Sequence, residues 1–308
     1  MQTTVTRHHN ARSITLLGFV SMVLLWGSFP VVAKIGAEHA PPLLLSSARF
    51  LLAFCLMVLI VVGQRKKLWI TRRQHWQIFL VSLFMVGIPA SLFFASLTYA
   101  PVSVLTLMWA TTPIFTALFN VRGAGEVRGW RLLASLLIGA IGIAIVLMGR
   151  VPFWPGNTDN TFAFVGNGMT LVSELAVLAS AVVYGFGMRL AKYSSPDVPV
   201  VIMTTWQVFY SGVFIALVGL IFEWRSPIQP GWIGLAVLLY LAIFCSCLTF
   251  FLMFWLIRRI GAIRTAYADF IIPGVTLALS YFFLDESVTL AKVGGFVLVM
   301  LGCVLVEI

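Results

Sequence analysis

Apolar residues dominate this chain in runs of about twenty, interrupted by short polar connections. The runs cover approximately residues 14–33, 42–63, 76–97, 102–121, 132–149, 166–188, 198–222, 232–257, 265–283 and 290–307. A helix crossing the hydrocarbon core needs ~20 apolar residues, so the pattern predicts an all-α, polytopic membrane protein with ten transmembrane helices. Residues 1–12 are polar and are expected to be a disordered cytoplasmic tail. The first run, flanked by Arg7 and Arg12, is longer than the roughly 7–15 residues of a signal-peptide core. The longest connection, 150–165, carries Pro152, Pro155, Gly156 and several Asn and Asp, which is linker chemistry.

The runs fall into two matched sets. Trp26-Gly27 and Ala33-Lys34 reappear 158 positions later as Tyr184-Gly185 and Ala191-Lys192. The same offset carries Pro41 onto Pro199, Ser46-Ser47 onto Thr204-Thr205, and Arg49 onto Gln207. Pro113, Glu126 and Gly142 pair with Pro273, Glu286 and Gly302 at an offset of 160. A unit written twice implies a repeat architecture. The predicted organisation is a first five-helix repeat over 13–150, an extracytoplasmic linker over 151–165 and a second repeat over 166–308.

Composition changes the picture in one respect. The chain is 61% hydrophobic and 10% charged, against about 25% charged residues in soluble domains. Its net charge of +10 would suggest nucleic acid in a soluble protein. Here the basic residues sit between apolar runs, so they report topology and no nucleic-acid partner is expected. With the N-terminus inside, fifteen of the twenty Lys and Arg fall in inner segments, while Lys34, Arg150, Arg225 and Lys292 fall at outer ends. Both termini are therefore expected in the cytoplasm. Five spans per repeat is an odd number, so the second repeat enters the membrane inverted. That is secondary-transporter architecture, with the working site near the midplane.

Arg49, Glu174 and Asp269 are the charged residues inside runs and away from their extreme ends. A charge at the bilayer centre costs about 2.5–3.5 kcal/mol on insertion scales, so such groups face a cavity or a partner. Counting ~1.5 Å per residue, Arg49 and Glu174 lie roughly 10 and 12 Å from the outer ends of their helices, and Asp269 about 6 Å from its inner end. Glu174 and Asp269 are expected to be cavity carboxylates, binding a substrate amino group or a proton. Arg49 is expected to be a structural charge that pairs with a carboxylate or snorkels. Pro30, Pro113 and Pro273, with Pro89, free backbone carbonyls inside runs and are candidate hinges. Small residues in the fifth and tenth runs, among them Gly139, Gly142, Gly295 and Gly302, predict a contact between the halves or a homodimer surface. Cys55, Cys245, Cys247 and Cys303 have no metal-ligand spacing, and neither a metal nor a cofactor is expected.

Trp26-Gly27, Ala33-Lys34 and Ser47-Ala48-Arg49-Phe50-Leu51-Leu52-Ala53 resemble the opening of the EamA-type branch of the drug/metabolite transporter superfamily. Pro273, Leu284-Asp285-Glu286, Gly294-Gly295 and Leu301-Gly302 resemble the tail of that family's repeat. The likeness covers about residues 14–306. It implies a ten-helix inverted repeat in the inner membrane that exports amino acids or related metabolites. It also implies a cavity surrounded by helices 1, 3, 4, 6, 8 and 9. Trp26, Trp109, Glu174, Tyr184, Trp255, Tyr267 and Asp269 belong to that set, and Arg49 to a peripheral helix. Gln207 in place of a second arginine shows that the halves have diverged.

Other function classes fit poorly. An intramembrane protease needs two membrane aspartates in a suitable motif, or a serine with a histidine base. The four histidines lie outside the runs and Asp269 is the only aspartate within one, so no enzyme is expected. A filter-like glycine loop of the kind a channel needs is also missing. The expected partners are a small-molecule substrate and the lipid bilayer. The alternatives to a metabolite exporter are an exporter of cationic amphiphiles and a facilitator without proton coupling.

Overall fold

The computed structural model describes residues 2–120, 129–148, 168–192, 194, 197–228, 231–260, 265 and 268–307. The regular elements among them form ten helical rods. The first two are α1 (Gln2–Ala37) and α2 (Pro42–Gly63). Rod α3 comprises Arg72–Ser82, a π-helical stretch Leu83–Gly87 and Ile88–Ser96. Rod α4 is broken into Val102–Trp109 and Thr112–Asn120. Then come α5 (Gly129–Met148), α6 (Gly168–Lys192) and α7 (Val200–Phe222). Rod α8 comprises Trp232–Tyr240, a π-helical stretch Leu241–Leu248 and Thr249–Ile260. The last two are α9 (Ala268–Leu284) and α10 (Leu290–Glu307).

Seven rods are long and apolar enough to cross a membrane alone, and the apolar cores of α5, α9 and α10 supply three shorter ones. The chain is thus a polytopic all-α membrane protein. One expectation needs correcting: α1 begins at Gln2, so residues expected to be a disordered tail extend the first helix. No proline or glycine interrupts residues 2–12, and extending a formed helix costs far less than nucleating one. The linker expected at 151–165, together with Glu126 and Tyr267, lies outside the described residues.

Local chemistry sets the helix starts. Pro41 and Pro199 precede the first residues of α2 and α7, where a missing N–H costs nothing. Thr71 and Gln74 form a reciprocal capping box at the start of α3. Asp285, at φ 53°, turns the chain out of α9. Glu286 then accepts from Val102 N–H (2.6 Å) and Ser103 N–H (3.0 Å) at the start of α4. Glu223 does the same for α2, accepting from Leu43 and Leu44 N–H at 3.1 Å each. Burial raises the Glu223 pKa, an effect that its two backbone donors partly offset.

The packing obeys a pseudo-twofold relation between the halves. Helix α1 packs on α9 as α6 packs on α4, while α2 pairs with α7 and α5 with α10 across the axis. The π-helical stretches start at Leu83 and Leu241, which are 158 positions apart. A Cβ on Gly142 would stand 2.9 Å from the Gly295 carbonyl oxygen, and one on Gly302 would stand 2.9 Å from that of Ser135. Adding 160 to 142 and 135 gives 302 and 295, so these are two copies of one contact. The small residues of α5 and α10 therefore join the halves, as close helix approach in lipid requires. The outer surface is apolar, with Leu59, Phe222 and Phe282 exposed, and Trp69, Trp76, Trp224 and Trp232 are exposed near helix ends.

Candidate central cavity

A cavity of about 230 Å³ lies between the two halves. Helix α1 contributes Trp26, Phe29 and Pro30, and α3 contributes Met85, Pro89, Phe93 and Phe94. The break in α4 presents Trp109, Thr112 and Pro113 to the same space. From the second half come Tyr184 of α6, Cys245, Phe250 and Met253 of α8, and Asp269, Ile272 and Pro273 of α9. The backbone is irregular around it. Both π-helical stretches touch the cavity, and α4 is interrupted where Pro113 lacks an N–H to continue the ladder. Cys303 of α10 covers the break, its thiol donating to the Ala110 carbonyl at 3.3 Å.

Aromatic rings line much of the wall. Phe29 stacks on Phe93 (6.0 Å between ring centres), Phe93 meets Trp109 edge-on (6.3 Å), and Trp109 meets Tyr184 (5.2 Å). Trp26 stands edge-on to Phe250 at 5.9 Å. Asp269, the second residue of α9, is exposed and lines the cavity, which marks the end where α9 starts as its mouth. At the opposite end several contacts tie the halves together. Ser28 and Tyr240 hydroxyls share a hydrogen bond of 2.8 Å, and Glu286 and Glu223 cap helices of the other half. Lys34 Nζ donates to the Leu97 carbonyl there, locking α1 to α3. Outside this closure is a surface depression that includes Lys34, Glu38, Tyr99, Asp285 and Glu286.

Of the residues expected at the cavity, Trp26, Trp109, Tyr184 and Asp269 line it, as do Pro30, Pro113 and Pro273. Glu174 is buried (2% exposed) but is not among the lining residues. Its neighbour Ser173 accepts a hydrogen bond from Ser96 through its carbonyl, in the α3–α6 packing. Trp255 is also absent from the lining and packs in a cluster with Met22 and Leu256. Tyr267 lies outside the described residues.

Arg49 differs from expectation in position. It was placed on a peripheral helix, yet α2 carries it and Phe50 into the cavity wall. Its side chain is 6% exposed, so it does not snorkel, and among the described residues no carboxylate pairs with it. Nη1 donates to Ser246 Oγ at 3.2 Å, and Nε has no hydrogen-bond partner. The guanidinium carbon lies 4.0 Å from the ring centre of Phe50, 4.7 Å from that of Phe29 and 5.1 Å from that of Phe94. Burying a lone ion costs several kcal/mol. Each cation–π contact returns about 0.5–2 kcal/mol. A hydropathy pattern shows that Arg49 is buried but not which way α2 is rotated, so the sequence had no signal for this placement.

The arrangement therefore offers a binding site with an aromatic wall, a buried cation and a carboxylate at its mouth. No group of three metal-ligating side chains occurs among the described residues. Two inverted, interlocked halves around a central cavity define the class of membrane transporters. The profile of the EamA-like transporter family matches residues 13–148 and 171–308, and the chain belongs to that family. It is 26% identical to the uncharacterized transporter YvbV of Bacillus subtilis, over 96% of this chain and 92% of that protein. YoaV of the same organism, also an uncharacterized transporter, is 24% identical over 93% and 94%. A probable amino-acid metabolite efflux pump of Salmonella typhimurium is 25% identical over 92% of each. A solved crystal structure shares the fold, with TM-score 0.62 at 20% identity over 95% of this chain and 96% of that one.

Proposed function

We propose that this protein is a secondary transporter of the inner membrane that exports amino acids or related small metabolites by alternating access. The observation that carries the reading is the cavity between pseudo-symmetric halves, with a mouth at one end and cross-half contacts at the other. Rocking one half against the other would release those contacts and close the mouth. The inner bias of Lys and Arg supports cytoplasmic termini. With that orientation the mouth faces the cytoplasm, as loading for export requires. The Salmonella relative, named a probable amino-acid metabolite efflux pump, supports the same substrate class.

Size argues against the multidrug alternative. The cavity of about 230 Å³ is smaller than the ~300–1,000 Å³ typical of pockets for drug-sized ligands. Asp269 is the carboxylate placed to meet a substrate amino group or a proton. The test is purified protein in liposomes, with counterflow measured for labelled amino acids, organic acids and amines, with and without a pH gradient. Saturable counterflow of an amino acid or related metabolite is expected, with a weakened response in Asp269→Asn. Unsaturable conductance would reject the transporter reading, and equal rates without the gradient would remove proton coupling.

A further inference from the structure

Arg49 is a buried cation on the cavity wall whose charge the transport cycle described above does not use. We propose that Arg49 is the carboxylate-binding residue of the cavity, and that the substrate is a small amphipathic carboxylate whose apolar part rests on the aromatic wall. The proposal rests on the transporter reading and names the group that its site recognises.

The geometry leaves the guanidinium incompletely satisfied. It has five N–H donors in a planar fork. The structure gives it one neutral acceptor, Ser246 Oγ, and leaves Nε without a partner. Ser246 donates its own proton to the Leu241 carbonyl at 2.9 Å, so its oxygen is held as an acceptor for Arg49. Phe29, Phe50 and Phe94 hold the cation without neutralising it. A carboxylate from the cavity would supply both a countercharge and acceptors in the fork geometry that guanidinium prefers.

The repeat supplies an internal control. Gln207 stands at the matched position of α7, is buried, and reaches Met85 in the π-helical stretch of α3 through its side-chain amide (3.7 Å to Sδ). Arg49 makes the mirrored contact with Ser246 in the π-helical stretch of α8. A neutral amide therefore suffices to bridge the second helix of one half to the third of the other. The charge in the first half is surplus to that task. A monoanion fits better than a phosphate dianion, because Arg49 is the only cation among the described lining residues and Asp269 shares the cavity.

The probes are L-phenylalanine, 3-phenylpropionate, which lacks the ammonium, and phenethylamine, which lacks the carboxylate. Binding is read by quenching of intrinsic tryptophan fluorescence, since Trp26 and Trp109 line the cavity, and by competition against labelled L-phenylalanine counterflow. In the unaltered protein both carboxylates are expected to bind at least tenfold more tightly than phenethylamine. Arg49→Gln should weaken both by at least tenfold and erase that preference, Arg49→Lys should retain part of it, and Gln207→Ala should keep it. Phenethylamine binding as tightly as L-phenylalanine, or a carboxylate preference that survives Arg49→Gln, would overturn the proposal. So would saturable counterflow confined to solutes without an anionic group, which leaves the transporter reading intact. If no solute shows saturable counterflow, both readings fall. Should Arg49→Gln not fold, the ligand series on the unaltered protein decides alone.

Discussion

Gly27 and Gly185 occupy matched positions, and a methyl group would be crowded at both. At Gly27 it would stand 2.5 Å from Val275 Cγ1 and 2.7 Å from Val275 Cβ, and rotation of that side chain moves only Cγ1. At Gly185 it would meet the backbone of Phe115 and Thr116 at 2.8 and 2.9 Å. Gly27→Ala and Gly185→Ala are therefore each expected to destabilise the protein by about 1–3 kcal/mol, as overpacking does where neighbours cannot move. Melting in detergent, followed by tryptophan fluorescence, would check both. Glu223 supports a second expectation. Burial raises its pKa above the ordinary 4.5, so its protonated form is favoured in the fold. Its contribution is then greatest below that ordinary value and declines as pH rises through the raised one. The melting temperature of the unaltered protein relative to Glu223→Gln should accordingly increase between pH 7 and pH 4. An unchanged difference would refute that linkage.

At the scale of helices, the matched prolines have not produced matched elements. Pro113 sits at a break in α4, whereas α9 runs unbroken through Pro273. Thr276, three residues on, ties α9 to α1 by donating to the Gly27 carbonyl at 2.7 Å. Pro113→Ala should therefore restore helix continuity and slow counterflow several-fold, while Pro273→Ala should change it less. Equal effects would mean that the α4 break is not the working hinge. The π-helical stretches show how far the pattern of residues can be read. Pro89 lies just past the first, where its missing N–H explains the lost register. The second contains no proline; there Ser246 and Thr249 hydroxyls bond back five residues to Leu241 and Phe244 carbonyls. No local residue type announced it. Only its place opposite the first, 158 positions away, links the two.

For the whole molecule, the inverted halves put Trp69 and Leu290 at opposite ends of the bundle, and both are well exposed. With cytoplasmic termini, a membrane-impermeant maleimide should label Leu290→Cys in intact cells. It should label Trp69→Cys only after permeabilisation, and the reverse pattern would invert the orientation. The cavity belongs to this scale too. Trp26, Trp109 and Tyr184 were legible as candidates because aromatic residues on matched or central stretches of apolar runs stand out from their surroundings, and Asp269 because it is the only aspartate within a run. Glu174 and Trp255 stood out equally, yet neither lines the cavity, and Trp255 packs with Met22 and Leu256. Burial alone does not separate a cavity wall from a helix–helix seam.

The residue string by itself determined the number of spans, the doubling of the unit and, through five spans per copy, the inversion of the second half. These follow from the thickness of the hydrocarbon core and the parity of the count, and neither depends on how side chains pack. Tertiary structure alone decided which face of each helix meets the cavity. That rotation is set by contacts between distant segments, such as Gly142 against Gly295 or Arg49 against Ser246, and no local pattern encodes it. Hence Arg49 read as a structural charge along the chain and stands in the cavity wall of the folded protein.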